Sequence, residues 1–351
     1  MLACRHRAGV RADCRLDRRP AYCCPLRTWK APPPREKLTL VSIRLISHYG
    51  AKVCRALRWL KGVSITLLLL AGLLVAIGLQ EAKSDAAQRR LTLGLAGWPA
   101  DTPPLTIALL SDIHLGNRAM DAERLGRIVS EVNAARPDLV LLAGDFMVGH
   151  DAAGASQRAV GLQAPLSRLT APLGVIAVLG NHDHWTSPTS VRAALVRAGV
   201  KVLRNEALRR GPVTILGIDD GFSGHDDVSA TLASWRRVGG IPLVLTHSPD
   251  VALKLPGDLP LIMAGHTHCG QVVLPWMGPL LTRAPKQQWR TLYDPRYRCG
   301  FVQDRGRVVL VTAGLGSGTS PLRLGAPPDW WLITIGPRRS AHLSAIGIAK
   351  P

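Results

Sequence analysis

The sequence predicts a layered α/β fold preceded by one N-terminal transmembrane helix. Three observations support this: an uncharged stretch of helical length near the N-terminus, apolar runs of strand length alternating with amphipathic helical patterns, and a strand-rich C-terminal part. Alternating strands and helices are typical of sheets packed between helical layers. With 351 residues and 47% hydrophobic content, the chain can form one large domain with appendages or two ordinary domains.

The N-terminal segment, residues 1–40, is rich in arginine and cysteine and has no helical or strand periodicity. We interpret it as a disordered basic tail, or as the product of a start codon assigned too far upstream. The second interpretation is slightly favoured, because the segment has no recognisable structural role. The cysteines of residues 1–54 match no common zinc-module spacing.

A basic juxtamembrane segment, residues 41–61, precedes an uncharged apolar stretch, residues 62–79. A helix of that length spans about 27 Å, which is near the thickness of the hydrocarbon layer. A cleaved signal peptide and a buried core helix are the alternatives, but Gly78-Leu79-Gln80 is a weak cleavage site and such uniform Leu/Val/Ile content is unusual in a core. The basic flank predicts a cytoplasmic N-terminus, so the body would lie outside the bacterial inner membrane.

The charge distribution argues against nucleic-acid binding. The formal net charge is +20, but residues 1–61 alone carry 15 Lys/Arg against 3 Asp/Glu. The body carries the remaining 29 against 21 and shows no module in which aromatic and basic residues interleave. The basic excess therefore mostly marks the membrane flank, and we expect no nucleic-acid partner.

The elements of the body follow from the apolar periodicity. We predict that residues 80–104 form a linker with a first strand (90–95). We predict the main domain over residues 105–340 and a C-terminal tail over residues 341–351. Within the main domain the pattern predicts strands at 105–110, 139–143, 175–179, 213–218, 243–246, 261–264, 307–312 and 331–335. It predicts helices at 121–134, 157–169, 188–198 and 228–237.

Five polar clusters follow apolar runs, and most come directly after a predicted strand. They are Asp112-Ile-His114, Gly144-Asp145, Gly180-Asn181-His182-Asp183, His247 and Gly265-His266-Thr267-His268. Any one of them is explained by a turn, a helix cap or a structural histidine. Together, at the ends of strands where α/β sheets bind ligands, they favour a site for two ions such as Mn²⁺, Fe or Zn²⁺.

The order of these clusters resembles the calcineurin-like metallophosphoesterase superfamily, whose pattern is DxH, GD, GNH(D/E), H and GHxH. The surrounding sequence is similar to the membrane-associated YkuE- and YaeI-like bacterial branch, for example at His247-Ser248-Pro249-Asp250 and at Gly265-His266-Thr267-His268-Cys269-Gly270-Gln271. The resemblance covers roughly residues 105–335 and implies an α/β/β/α sandwich of two mixed sheets flanked by helices. Two departures are Cys269, where the branch usually has Gly, and Asp329, where it usually has Glu.

The resemblance also implies residue roles. One ion would be held by Asp112, His114, Asp145 and His268, and the second by Asp145, Asn181, His247 and His266. The two ions would share a hydroxide that attacks phosphorus in line.

Outside the two ligand sets, the resemblance gives His182 the role of stabilising the transition state or protonating the leaving oxygen. For Asp183 two roles stay open, orienting His182 and capping a helix. We expect Arg323, on an exposed loop, to contact an anionic substrate.

The resemblance implies a phosphodiesterase or pyrophosphatase that acts on a membrane-linked or envelope phosphoester. The alternative is a cytoplasm-facing UDP-2,3-diacylglucosamine pyrophosphatase of lipid A synthesis, with a lipid-linked pyrophosphate as substrate. A catalytically silent scaffold is disfavoured because no ligand is missing. A protein phosphatase is disfavoured because the stretch after Gly144-Asp145 lacks the arginine of GDxxDRG. Cys269 and Cys299 either form a disulfide in an oxidising compartment or stay unpaired.

Overall fold

The computed structural model describes residues 40–284, 287–338 and 344–346. The predicted N-terminal tail lies outside this part of the chain except for Leu40, and so does most of the predicted C-terminal tail. The chain divides into two compact units, residues 1–64 and 65–351.

The first described element is helix α1 (Leu40–Ala82). Among the described residues, it is the one helix long and apolar enough to cross a membrane, over Lys52–Ala82. This span contains the predicted stretch 62–79, and most of its side chains are exposed rather than buried in protein.

Six further α-helices are described, most of which follow a strand. They are α2 (Ala122–Ala134), α3 (Ala155–Val160), α4 (Gln163–Leu166), α5 (Asn181–Thr186), α6 (Pro188–Arg197) and α7 (Val228–Val238). Side-chain caps begin three of them. For example, the Asp121 carboxylate accepts a hydrogen bond from the Arg124 amide at 2.8 Å, directly before α2.

The strands form two large sheets and two short hairpins. In chain order the described strands are β1 (Ala87–Leu95), β2 (Leu105–Leu110), β3 (Leu139–Ala143), β4 (Val175–Val178), β5 (Lys201–Val202), β6 (Glu206–Arg210), β7 (Val213–Gly217), β8 (Ile241–Leu245), β9 (Leu261–Ala264), β10 (Val273–Leu274), β11 (Gly278–Pro279), β12 (Arg283–Ala284), β13 (Arg290–Thr291), β14 (Gly300–Asp304), β15 (Arg307–Val311), β16 (Asp329–Pro337) and β17 (Ser344–Ile346).

Both large sheets are mixed. The first has the order β17-β1-β16-β2-β3-β4-β5, with β2 to β5 parallel and β16 antiparallel to β2. The second has the order β14-β15-β9-β8-β7-β6, with β15, β9, β8 and β7 parallel and an antiparallel strand at each edge. The hairpins pair β10 with β11 and β12 with β13.

Three hydrophobic clusters define the layers. The middle cluster joins the facing sides of the two sheets, for example Leu141 of the first and Leu245 of the second. One outer cluster packs α2 and α6 on the first sheet, and the other packs Val251 and α7 on the second. Central strands buried on both faces explain the continuous apolar runs of the sequence. The predicted α/β/β/α sandwich of two mixed sheets is confirmed.

One predicted helix was wrong, and one short helix was missed. The helix expected over 157–169 is broken into α3 and α4 at Gly161, where an added side chain would come within 3.1 Å of Leu115. The Asn181 motif begins the short helix α5, which the apolar periodicity did not predict. The Asp183 side chain accepts the Gly180 amide at 2.9 Å and so stabilises the first turn of this helix.

Candidate metal centre

The seven predicted ligand residues all come after the carboxyl ends of central strands. β2, β3 and β4 of the first sheet are followed by Asp112, Asp145 and Asn181, and β8 and β9 of the second by His247 and His266. All seven side chains are buried or nearly so. Because the parallel strands end at the same edge of each sheet, the two edges bring all the predicted ligands into one cluster.

The first predicted ligand set converges through its imidazoles. His114 Nε2 lies 3.1 Å from His268 Nε2 and 3.4 Å from Asp145 Oδ2. Asp112 Oδ1 lies 3.4 Å from His268 Nε2 and 3.7 Å from His114 Nε2. Ligand atoms of one ion with bonds near 2.1 Å are about 3.0–3.4 Å apart, so this spacing suits a shared cation.

The second predicted set converges on His247 Nε2. This atom lies 3.1 Å from Asn181 Oδ1, 3.3 Å from Asp145 Oδ2 and 3.3 Å from His266 Nδ1. Asp145 Oδ2 is therefore next to both sets, while its Oδ1 accepts the backbone amide of His182 at 2.8 Å. The two sets meet at one carboxylate oxygen.

Backbone carbonyls orient the two histidines of the second set. His247 Nδ1 donates to Ala143 O at 2.7 Å, and His266 Nε2 donates to Leu292 O at 2.9 Å. A carbonyl oxygen only accepts, so these two nitrogens carry protons. The opposite nitrogens face the centre, where they would offer lone pairs to a cation that displaces any proton on them, as metal-ligating histidines do.

The donor chemistry fits divalent cations. Asp112 Oδ1 is buried and has no hydrogen-bond partner, and two imidazole nitrogens face each other at 3.1 Å. Groups in this state are costly inside a protein unless a cation is present between them. Three overlapping groups of buried residues have ligand atoms close enough to hold a metal ion, among them Asp112 with His114 and His268. Carboxylate, carboxamide and imidazole ligands together suit Mn, Fe or Zn.

The electrostatics keep the two carboxylates ionised. Burial opposes ionisation of Asp112, but the nearby imidazoles of His268 and His114 hold its pKa below the usual value. Burial likewise opposes ionisation of Asp145, and His247 and His182 hold its pKa well below the usual value. Both side chains are thus in the form that binds cations.

The backbone at the centre is unusual. Five of the seven predicted ligands have positive φ angles, a conformation that costs energy for residues with a side chain. They are Asp112 (53°), His114 (47°), Asp145 (56°), His266 (71°) and His268 (49°). Gly144, also at positive φ, allows close approach, since an added Cβ would lie 2.7 Å from the Gly180 amide nitrogen.

His182 lies beside the two ligand sets. Its Nδ1 donates to Gly149 O at 2.7 Å, and its ring meets those of His114 and Trp185 at centroid distances of 4.9 and 5.0 Å. Burial lowers the pKa of His182 to about 4, against the opposing effect of Asp145. Because Gly149 O accepts from Nδ1, Nε2 is the nitrogen that can contact a group bound at the centre.

Asp183 is fully buried and binds backbone rather than the His182 ring. Its carboxylate accepts the amides of Asp145 (3.0 Å), Phe146 (2.9 Å), Met147 (3.3 Å) and Gly180 (2.9 Å). Burial and the Asp145 carboxylate raise its pKa to about 7. Of the two roles left open for Asp183, catalysis through orienting His182 and capping a helix, the contacts favour the cap. They make it a positioning residue that fixes the Asp145 turn to the start of α5.

The expectation that Arg323 is exposed was wrong. Its side chain is fully buried, because its guanidinium donates to a cage of carbonyl oxygens: Gly316 (2.9 Å), Ala326 (2.8 Å), Ala313 (2.6 Å) and Gly314 (3.2 Å). One of its nitrogens, Nη2, also lies 3.2 Å from His268 Nδ1. These contacts occupy the group that was expected to bind substrate. Arg323 instead holds together the loop that lies beside His268.

Cys269 and Cys299 form a disulfide, with their Cα atoms 4.7 Å apart. The pairing, which the sequence left open, connects the residue after His268 to the start of β14. The sequence also gave no signal for the carbonyl partners Gly149 and Leu292, because backbone acceptors have no residue signature.

Comparisons with known proteins agree with this geometry. The calcineurin-like phosphoesterase family profile matches residues 105–270. The uncharacterized metallophosphoesterase YkuE of Bacillus subtilis (strain 168) is 34% identical over 238 residues, which are 65% of this chain and 78% of that protein. A transmembrane protein with metallophosphoesterase domain from Danio rerio is 28% identical over 282 residues, which are 75% of this chain and 60% of that protein.

Among solved structures, a 5'-nucleotidase precursor from Thermus thermophilus is 18% identical with a TM-score of 0.39, and the match covers 66% of this chain and 55% of that one. The identity with YkuE, over most of that protein's length, is high enough to assign a family. This chain belongs to the calcineurin-like phosphoesterase family and is a metallophosphoesterase.

Proposed function

We propose that this chain is a dinuclear metal-dependent phosphodiesterase or pyrophosphatase that acts on a membrane-linked or envelope substrate. The observation that carries the proposal is the position of Asp145 Oδ2, which lies 3.4 Å from His114 Nε2 and 3.3 Å from His247 Nε2. A carboxylate oxygen between two sets of ligands suits a pair of ions with one shared ligand.

In this proposal, Asp112, His114, Asp145 and His268 hold one ion, and Asp145, Asn181, His247 and His266 hold the other. A pair of divalent ions, when bound, supplies water activation at neutral pH and neutralises charge on the phosphoryl oxygens.

His182 is the proposed catalytic side chain. Gly149 O accepts the Nδ1 proton and fixes the ring, so Nε2, when it is also protonated, can donate to a phosphoryl oxygen or to the leaving oxygen. Asp183 supports this arrangement indirectly, by holding the backbone on both sides of the centre. We propose direct hydrolysis by water, with no phosphorylated side chain.

We further propose that residues 80–104 link a membrane anchor to a catalytic domain, residues 105–340, on the outer side of a bacterial inner membrane. The basic flank of α1 and the Cys269–Cys299 disulfide both favour this orientation, since disulfides persist in oxidising compartments. The same disulfide disfavours the alternative, a UDP-2,3-diacylglucosamine pyrophosphatase that faces the cytoplasm.

The test uses the full chain in detergent with Mn²⁺ and three substrates: a bis-aryl phosphate, an aryl monoester and UDP-diacylglucosamine. Asp145→Asn and His182→Ala are compared with Asp101→Asn, which changes an exposed carboxylate outside both ligand sets. We expect Asp145→Asn to lower kcat/KM by about three orders of magnitude, because several kcal/mol of charge stabilisation are lost. We expect His182→Ala to lower it by about 10²- to 10⁴-fold.

Metal binding without turnover of any phosphoester would support the silent-scaffold alternative and overturn the enzyme proposal. Activity that survives Asp145→Asn would overturn the ligand assignment. Preferred turnover of UDP-diacylglucosamine, together with a cytoplasmic C-terminal topology reporter, would replace the proposed orientation and substrate by the alternative.

A further inference from the structure

A cleft of about 850 Å³ leads from the candidate metal centre along apolar side chains. Asp145, His182 and His268 are among its lining residues. Its lining includes Leu74 of α1 and Leu274, Leu280 and Leu281 of the hairpin segment, which comprises β10 to β13. A site for a small water-soluble phosphoester does not need such a long apolar wall, so the cleft indicates an apolar part of the substrate.

Hydrogen bonds attach the end of α1 to the loop that carries Arg323. The Arg323 amide donates to Gly78 O at 3.0 Å, and the Glu81 carboxylate accepts the amides of Gly325 (3.1 Å) and Ala326 (3.0 Å). The approach is close, since a Cβ added at Gly78 would lie 3.1 Å from Arg323 O. One wall of the cleft is therefore a fixed part of the same apolar helix that can cross a membrane.

The hairpin segment also carries large apolar side chains that face water. In the hairpin segment, β10 to β13, Trp276 is fully exposed, Met277 is 73% exposed and Trp289 is 61% exposed. Leu280 and Leu281, which line the cleft, are 51% and 60% exposed. Exposed apolar patches of this kind mark membrane or ligand contacts, and tryptophan is favoured at the membrane interface.

The cleft also has a basic group beside its apolar wall. Arg283 of β12 lines the cleft and is exposed, so it can pair with an anionic headgroup. The ligand cluster in the cleft thus suits a phosphate, the apolar lining suits hydrocarbon, and that lining includes residues of α1.

We propose that the substrate is a lipid phosphoester whose acyl chains lie in this cleft, between α1 and the hairpin segment. This inference rests on the proposed function and adds the substrate class. The lipid reaches the centre laterally from the bilayer, its phosphate lies at the ligand cluster, and its chains contact Leu74, Leu280 and Leu281. In the reaction, the oxygen of water bonds to phosphorus, the ester P–O bond breaks, and the leaving oxygen takes a proton.

The first experiment compares two phosphatidylglycerols, dioleoyl and dihexanoyl, in detergent micelles with the full chain and Mn²⁺. We expect kcat/KM to be at least about tenfold higher for the dioleoyl ester, because its chains bury more apolar surface. The double variant Leu280→Asn/Leu281→Asn should bring this ratio close to one. Leu253→Asn, another exposed leucine, is the matched control and should keep the ratio. Melting temperatures verify that the variants fold.

The second experiment does not need turnover. Vesicles of phosphatidylglycerol with a diazirine on one acyl chain are photolysed with the protein, and the crosslinked peptides are mapped by mass spectrometry. Crosslinks at residues 272–281 that disappear in the double variant would support the cleft, whereas crosslinks confined to α1 would overturn it.

The results separate the two proposals. The lipid-cleft proposal is overturned if kcat/KM does not depend on acyl-chain length, or if the dioleoyl-to-dihexanoyl ratio of kcat/KM is unchanged in the double variant. Either result leaves the proposed phosphoesterase activity intact. If neither ester nor a bis-aryl phosphate is hydrolysed, the proposed function fails, and the crosslinks alone decide whether the cleft binds lipid.

Discussion

Replacing Cys299 by serine removes the disulfide to Cys269 while changing little else, because serine is nearly isosteric with cysteine. The bridge closes a loop with a sequence separation of 30 residues. In the chain-entropy treatment, a cross-link of this length stabilises the folded state by about 3.6 kcal/mol at 25 °C. For a domain of this size, that corresponds to a melting temperature lower by about 7–14 °C.

The assay is thermal unfolding of the full chain in detergent, followed by tryptophan fluorescence with and without a thiol reductant. Reductant should lower the melting temperature of the wild type to that of Cys299→Ser and leave the variant unchanged. Cys54→Ser, which changes an exposed free cysteine, is the control and should melt like the wild type. Two results together would show that the cysteines are not bridged in the native protein. The reductant would leave the melting temperature of the wild type unchanged, and that temperature would lie within about 2 °C of the value for Cys299→Ser.

Three further predictions concern the centre. Chelation should lower the melting temperature of the wild type but not of Asp145→Asn, since an ion at 100 times its Kd stabilises the folded state by about 2.7 kcal/mol; calorimetry with and without EDTA tests this. Arg323→Met should weaken Mn²⁺ binding about 10- to 100-fold, because the loop beside His268 loses the guanidinium that binds its carbonyl oxygens. Titration of Arg323→Met and of the exposed control Arg209→Met with Mn²⁺ compares the two affinities, and equal affinities would contradict the assigned role. Asp183→Asn should destabilise the fold by about 2–4 kcal/mol, because an amide replaces one acceptor oxygen and leaves backbone amides unpaired; denaturant unfolding that matches the wild type would refute this.

The central strands could be predicted from the sequence because they are buried on both faces. The run Leu139–Ala143 is wholly apolar and wholly buried, and its predicted bounds match β3. The edge strand β6 was missed, since Glu206–Arg210 is half exposed and has no apolar run. Its pairing with β7 is a tertiary contact that local periodicity does not encode.

The metal centre could likewise be predicted only in part. The ligand candidates could be found because carboxylates and imidazoles recur after strands, which is a local signal. The burial of Arg323 could not be predicted, because its carbonyl partners lie between Ala313 and Ala326 and come together only after the loop has folded. Arginine is usually exposed, so composition predicts the opposite environment.

The positive φ angles at five of the seven ligand positions have a consequence for how this centre evolves. Each strained residue with a side chain costs of order 1 kcal/mol or more, and the clustered charges add to that cost. Glycine at such a position relieves the backbone and removes the ligand in the same step. Loss of metal ligands is therefore an accessible route to a more stable protein, and selection for hydrolysis has to oppose it continuously. Members of this fold released from that selection are expected to lose ligands at the strained positions before they lose Asn181 or His247.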